Sequence, residues 1–268
     1  MAADSFPPQI VSRSLPIIVN AKSSTTRTSA DRNFASVPLD RSPQNRLAPS
    51  PLPAYYTTLF SAFGPQYWWP GRSRIEIIAG AILTQNTAWT NVEHAIRNLR
   101  RARLLSPAAL RQVSAAKLAT LLRPSGYFRQ KSKTLKTFVK FLFQAHEGSL
   151  TRLFATPTDI LREQLLNLRG IGPETADSIL LYAGKHPVFV VDAYTRRILE
   201  RHQLAGPKVR YDEIRHQFQA AFPANHQLFN EFHALIVHIG KNFCGPQNPR
   251  CAQCPLSRFL PQSSQLSS

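Results

Sequence analysis

From Ala54 to about residue 241 the apolar side chains recur at the three-to-four spacing of helices, and the one run with strand character, Val188-Phe189-Val190-Val191, is four residues long. So short a strand cannot found a sheet, and the spacing predicts an all-α fold. Ser73-Arg74-Ile75-Glu76 reads as a capping box opening a helix that runs to about Leu83. A second helix spans Trp89 to Arg101, with Val92, Ile96 and Leu99 on one face, and Ser106-Pro107 begins a short one with proline at its first position. Further helices are expected after Ser114, from Phe128 to His146, from Thr156-Pro157 to Leu168, from Pro173 to Gly184, after Asp192, and over 211–222 and 225–241. No apolar run reaches the roughly 20 residues that a membrane-spanning helix needs, so a membrane protein is excluded.

A helical chain this basic needs a partner for its charge. Lys and Arg number 33 against 15 Asp and Glu, a net charge of +18, while 43% hydrophobic residues supply a core. Only six basic and three acidic side chains fall in residues 1–50, so the helical remainder carries most of the excess. That excess points to a polyanion, most simply nucleic acid; a generally basic protein or a membrane-surface binder is the alternative. The three cysteines all lie between Cys244 and Cys254, which excludes a secreted disulfide scaffold. Residues 1–53 hold eight of the 21 prolines, many Ser and Thr, and no sustained period, and are expected to be a disordered tail. Their Arg- and Ser-rich, acid-poor composition also fits a transit peptide, although a clean amphipathic stretch is missing, and no apolar core of a secretory signal is present. Residues 261–268 read as a second tail. The expected location is the cytoplasm, at the nucleoid in a bacterium, with organelle targeting by the tail left open.

Two motifs carry chemistry. In Leu168-Arg169-Gly170-Ile171-Gly172-Pro173-Glu174-Thr175-Ala176, a Gly-hydrophobe-Gly turn lets backbone approach a ligand closely, and the helix starting at Pro173 aims its first amides at a phosphate. Arg169, Gly170, Ile171 and Gly172 are therefore candidate DNA contacts of a helix-hairpin-helix element. An ordinary Gly-rich interhelical turn is the plainer alternative. Eighteen residues after Glu174 stands Asp192, ahead of Ala193-Tyr194-Thr195. It suits a helix N-cap, and a carboxylate there also suits the stabilisation of an oxocarbenium-like sugar cation; both roles are compatible.

The hairpin, the Val-Asp beyond it and Cys244-x6-Cys251-x2-Cys254 occur in one order that resembles the endonuclease III (helix-hairpin-helix, GPD) superfamily of DNA glycosylases over about residues 54–260. In bifunctional members a lysine at the Glu174 position attacks the deoxyribose as a Schiff-base nucleophile. A carboxylate cannot form an imine, so the resemblance implies a monofunctional glycosylase with weak or absent AP-lyase activity. Trp68-Trp69-Pro70 and Leu83-Thr84-Gln85-Asn86-Thr87-Ala88-Trp89 are similar to segments of the 3-methyladenine DNA glycosylase branch. That likeness implies that Trp68, Trp69 and Trp89 line the pocket for a flipped cationic base, with core packing the alternative, and that Gln85 lies in the loop filling the gap the base leaves.

The resemblance also implies a [4Fe–4S] cluster on Cys244, Cys251 and Cys254, but the fourth thiolate position holds Leu260. A cluster and a degenerate loop with free thiols both stay open, since cluster and structural zinc alike want four ligands. Arg169, Lys185, Arg196, Arg197 and Lys241 are expected phosphate contacts or solvated charges, and His238 a helix-packing side chain. The expected organisation is a helical bundle over 73–187 carrying the hairpin, and a second helical domain from 54–72 and 188–260, with the active site between them. The expected protein is a monomeric base-excision enzyme acting on damaged double-stranded DNA. The alternatives are an endonuclease III-like glycosylase and lyase for oxidised pyrimidines or mismatches, and a non-catalytic DNA-binding module.

Overall fold

The computed structural model describes residues 50–68 and 71–261, and almost all of the expected N-terminal tail, together with Trp69, lies outside them. Within these residues twelve α-helices follow one another: α1 (Leu52–Phe63), α2 (Arg74–Leu83), α3 (Trp89–Arg101), α4 (Pro107–Gln112), α5 (Ala115–Leu121), α6 (Phe128–His146), α7 (Leu150–Phe154), α8 (Thr158–Leu166), α9 (Pro173–Ser178), α10 (Ala193–Arg201), α11 (Tyr211–Ala221) and α12 (His226–Asn242). No strand is present among the described residues, and the fold is all-α.

Local chemistry explains most of the boundaries. Ser73, Ser106, Ser114 and Ser149 each accept the N–H of the third residue onward, a cap worth about 1 kcal/mol. At Ser73 only this half of the capping box forms. The Glu76 carboxylate turns instead to Arg100, 2.8 Å away. Helix α1 begins at Leu52, so the end of the expected 1–53 tail is helical. Pro51 caps it and Pro53 sits in the first turn, where a missing N–H costs nothing. Five-residue α7 escaped the periodicity because it is shorter than two turns. The expected single helix from Pro173 to Gly184 is α9 continued by a π-helical segment, Ile179–Gly184.

Two apolar cores are built. One gathers α2, α3 and α6, with Ile78, Ile82, Leu99, Phe138 and Leu142 fully buried. The other gathers α1, α10, α11 and α12 around Leu59, Phe218, Phe229, Phe232 and Leu235. The π-helical segment serves both: Leu180 and Ala183 enter the first core, Leu181 and Tyr182 the second. Val188–Val191 is apolar for a related reason. It belongs to no helix or strand, Val188 lying in one core and Phe189–Val191 in the other, with Phe189 stacked on Phe218 at 3.8 Å.

Cations stitch the helices together. Lys131, 3% exposed on α6, donates to Leu83 O (2.9 Å) and Ser125 O (2.6 Å), and burial pushes its ammonium pKa down. Lys136, one turn on, donates to the carbonyls of Leu110, Arg111 and Val113. Both lysines satisfy carbonyls that helix C-termini leave without intrahelical partners. Arg162 on α8 grips Asp177 of α9 through two bonds (2.7 and 3.2 Å) and Asp212 of α11 through a third (2.7 Å), while Arg215 adds a 3.0 Å bond to Asp212. This network ties both helices of the hairpin to α11.

Candidate active site

The turn between α8 and α9 is fixed from three directions. Ile171 is its buried anchor at 5% exposure, while Arg169 and Gly172 are exposed. Gly170 has φ +93°, and a Cβ there would run into the hydroxyl and methyl of Thr134 on α6. Glycine is required on both counts. Gln85, in the loop after α2, donates its amide to Gly170 O (3.0 Å) and Thr175 Oγ1 (2.8 Å). The structure thus fastens the expected gap-filling residue to the hairpin.

Asp192 caps α10 as expected. Its Oδ1 accepts from Thr195 N (2.7 Å) and Thr195 Oγ1 (2.9 Å), which leaves Oδ2 facing His233 Nε2 at 3.5 Å. Burial pushes the Asp192 carboxyl up, but the His233 charge and the Thr195 bonds outweigh it and hold the group below the ordinary carboxylate value. Glu174, in the first turn of α9, behaves in the opposite way. Water reaches its side chain, yet desolvation by the surrounding protein and then the charge of Asp192 push its carboxyl up to about 7, with His233 opposing. Two neighbouring carboxyls with pKa values driven apart are the usual arrangement of an acid–base pair.

Sequence reasoning missed the two groups that complete this cluster. His233 on α12 is 4% exposed, and its Nδ1 lies 2.6 Å from the hydroxyl of Tyr182, which the π-helical segment carries. Both residues sit in runs of apolar neighbours and read as packing. Their signal was that a polar tip in such a run needs a partner.

The remaining candidates separate. Trp68 packs against the second core, with Lys241 Nζ 5.6 Å from its ring centroid. Trp89 opens α3 and packs against the first core, donating its N–H to Glu93 (2.9 Å). Lys185 and Arg169 are exposed. Arg196 and Arg197, expected at phosphates, are engaged within the protein: Arg196 donates to Val209 O, and Arg197 to Cys244 O and Gly240 O. His238 packs on Phe63 at 4.3 Å, as expected of a helix-packing side chain.

Cys244, Cys251 and Cys254 line one small cavity together with Leu260, and none forms a disulfide. Arg201 donates to Cys244 Sγ at 2.8 Å, and burial, with the other two thiols adding, pushes the Cys254 thiol up. His202 lines the same cavity with its Nδ1 2.8 Å from the Tyr55 hydroxyl, and among the described residues no three His, Cys, Asp or Glu side chains gather closely enough to hold a metal ion. A side chain of methyl groups stands at the fourth position, so this donor set is one short of what a [4Fe–4S] cluster takes and does not fit it.

Residues 79–224 match the family model described as HhH-GPD superfamily base excision DNA repair protein. A provisionally named DNA repair glycosylase of Methanocaldococcus jannaschii is 43% identical over 206 residues, covering 76% of this chain and 93% of its own. Endonuclease III of Thermotoga maritima is 28% identical over 179 residues, covering 66% of this chain and 78% of its own. Among solved structures, the H. pylori 3-methyladenine DNA glycosylase bound to 1,N6-ethenoadenine superposes with a TM-score of 0.60 at 30% identity, covering 71% of this chain and 95% of that one. An endonuclease III–DNA complex gives a TM-score of 0.67 at 19% identity over 80% of this chain and 95% of that one, a likeness of fold. The chain belongs to the HhH-GPD superfamily of base excision DNA repair proteins.

Proposed function

We propose that this DNA glycosylase is monofunctional and excises an alkylated base from double-stranded DNA. The observation that carries the reading is the pair Glu174 and Asp192: a carboxyl where an amine nucleophile would stand, beside a second carboxylate kept ionised. In this reading the exposed hairpin amides and basic side chains hold phosphates, and the damaged nucleotide leaves the stack towards the Glu174 and Asp192 carboxyls. The N-glycosidic bond then breaks with its electron pair leaving on the base. An alkylated base is already cationic and leaves neutral, so no acid needs to protonate it. Asp192 Oδ2 opposes the sugar cation, and water adds at the anomeric carbon. Glu174, titrating near neutrality, can accept the proton that this water loses. Likeness to a 3-methyladenine DNA glycosylase supports the choice of alkylated lesions.

The test is a panel of duplexes carrying an alkylpurine, an oxidised pyrimidine or a mismatch, assayed for free base and, with borohydride, for covalent protein–DNA adducts. Base release from the alkylated duplex without trapping is expected. Asp192→Asn should abolish release while keeping DNA binding, because it retains shape and cap but loses the charge matched to the transition state. Efficient trapping, or a wild-type rate from Asp192→Asn, overturns the reading.

A further inference from the structure

Residues 94–146 hold twelve Lys and Arg and not one Asp or Glu, so this stretch carries two-thirds of the net +18. All of these cations except Lys131 and Lys136 are exposed. One part of the surface they form is concave. Arg111 at the end of α4, with Lys136, Val139, Lys140, Phe143 and Gln144 of α6, lines a groove of about 250 Å³. Lys136 spends three bonds on the carbonyls that end α4, so it acts on an occupant through its charge alone. Arg111 lays its guanidinium over the Phe143 ring at 4.4 Å, and Gly148 lies so close to that ring that a Cβ would strike it. A guanidinium stacked in this way keeps its N–H edge free for the two oxygens of a carboxylate. Lys140 stands exposed beside it, and among the described residues no carboxylate pairs with Arg111 or Lys140.

The groove is separate from the hairpin. Thr134 is the α6 residue that meets the hairpin turn, at Gly170. At 3.6 residues per turn, Lys136, Lys140 and Phe143 lie roughly 180–240° round the helix from Thr134, on its opposite face. We propose that this groove docks an acidic peptide segment of a partner protein, with carboxylates on Arg111 and Lys140 and one aromatic side chain against Phe143 and Val139. The chain itself offers no such occupant: residues 1–50 hold six basic side chains against three acidic, and a second copy brings its own excess of +18. A duplex would touch the rim cations, but so stiff a rod does not enter a hollow of side-chain size. Contact this small gives weak, salt-sensitive binding.

The inference stands apart from the glycosylase reading, and its test does not depend on base release. The probe is a fluorescein-labelled peptide of alternating Asp and Glu around a single Phe, titrated with the full chain and read by fluorescence anisotropy. Saturable binding is expected, and Arg111→Glu/Lys140→Glu should weaken it at least about tenfold through like-charge repulsion. Arg97→Glu/Arg101→Glu changes the net charge equally at α3 positions that do not line the groove, and should weaken it by no more than about twofold. Serine in place of the peptide's phenylalanine should weaken binding by about threefold or more. If the groove pair fails to fold, Lys140→Glu alone, which leaves the Arg111 stack intact, must still lose about threefold. No saturable binding, equal losses in the two double variants, or indifference to the peptide's phenylalanine overturns the proposal. Duplex affinity should fall equally in the two double variants; a fall confined to Arg111→Glu/Lys140→Glu makes the groove part of the DNA footprint and overturns it too.

Discussion

Replacing Asp177 by asparagine tests what holds the hairpin in place. The Asp177 carboxylate is fully buried and receives two bonds from Arg162, with Arg215 at 4.0 Å. Removing one member of such a pair costs about 3–5 kcal/mol, because the remaining charge stays buried without compensation. Here Arg162 keeps Asp212 at 2.7 Å, but that carboxylate is 49% exposed, and a pair so wetted returns at most about 1 kcal/mol. The expected loss for Asp177→Asn is therefore roughly 2–4 kcal/mol, against about 1 kcal/mol or less for Asp212→Asn. Urea unfolding at neutral pH measures both, read from midpoints with an unchanged slope. Because Asp177 lies one turn beyond Glu174, base release should fall with stability only for Asp177→Asn. Equal losses for the two variants, or a loss for Asp177→Asn under about 1 kcal/mol, would show that burial does not govern this network.

Gly170→Ala should cost about 1–2 kcal/mol for the left-handed backbone alone, plus a clash with Thr134; Thr134→Ala should recover the clash and not the backbone part, and denaturation of the double variant measures the coupling. Glu174 holds its proton more tightly when folded, about 7 against an ordinary 4.5, so its contribution to stability is present below 4.5 and is lost as pH rises to about 7. Glu174→Gln should flatten the pH dependence of the urea midpoint across that window, and an unchanged slope refutes the shift. Iron in the purified protein should stay well below about four atoms per chain, and Leu260→Cys should raise it towards that figure. Full iron content before the substitution would mean that another group supplies the fourth ligand.

Much of the fold was legible because it is written in short-range chemistry. Serine caps, proline at the first turn and a three-to-four period placed α2 to α6 and α10 to α12 close to where they stand. What escaped was set by contacts distant in sequence. The carboxylate of Glu76 left its capping box because Arg100, 24 residues on, was the stronger partner. Asp192 and Glu174 were readable from spacing within one motif, but His233 and Tyr182 lie 51 residues apart and become partners only when α12 meets the π-helical segment. Arg196 and Arg197 looked like phosphate ligands for the same reason: a sequence shows a charge and not the carbonyl it will meet.

That last point reaches beyond the site. Lys131, Lys136, Arg196 and Arg197 spend their donors on backbone carbonyls, and Arg162 and Arg215 spend theirs on carboxylates. None of these six stands ready at the surface to displace an ion from a phosphate. The dependence of DNA affinity on salt counts the phosphates actually neutralised, each contributing about −0.9 to the logarithmic slope. Net charge therefore overstates counter-ion release for this chain. Arg162 and Arg215 already cancel against Asp177 and Asp212, so four cations of a net +18 serve as internal mortar, and duplex binding should loosen with salt somewhat less steeply than the isoelectric point suggests.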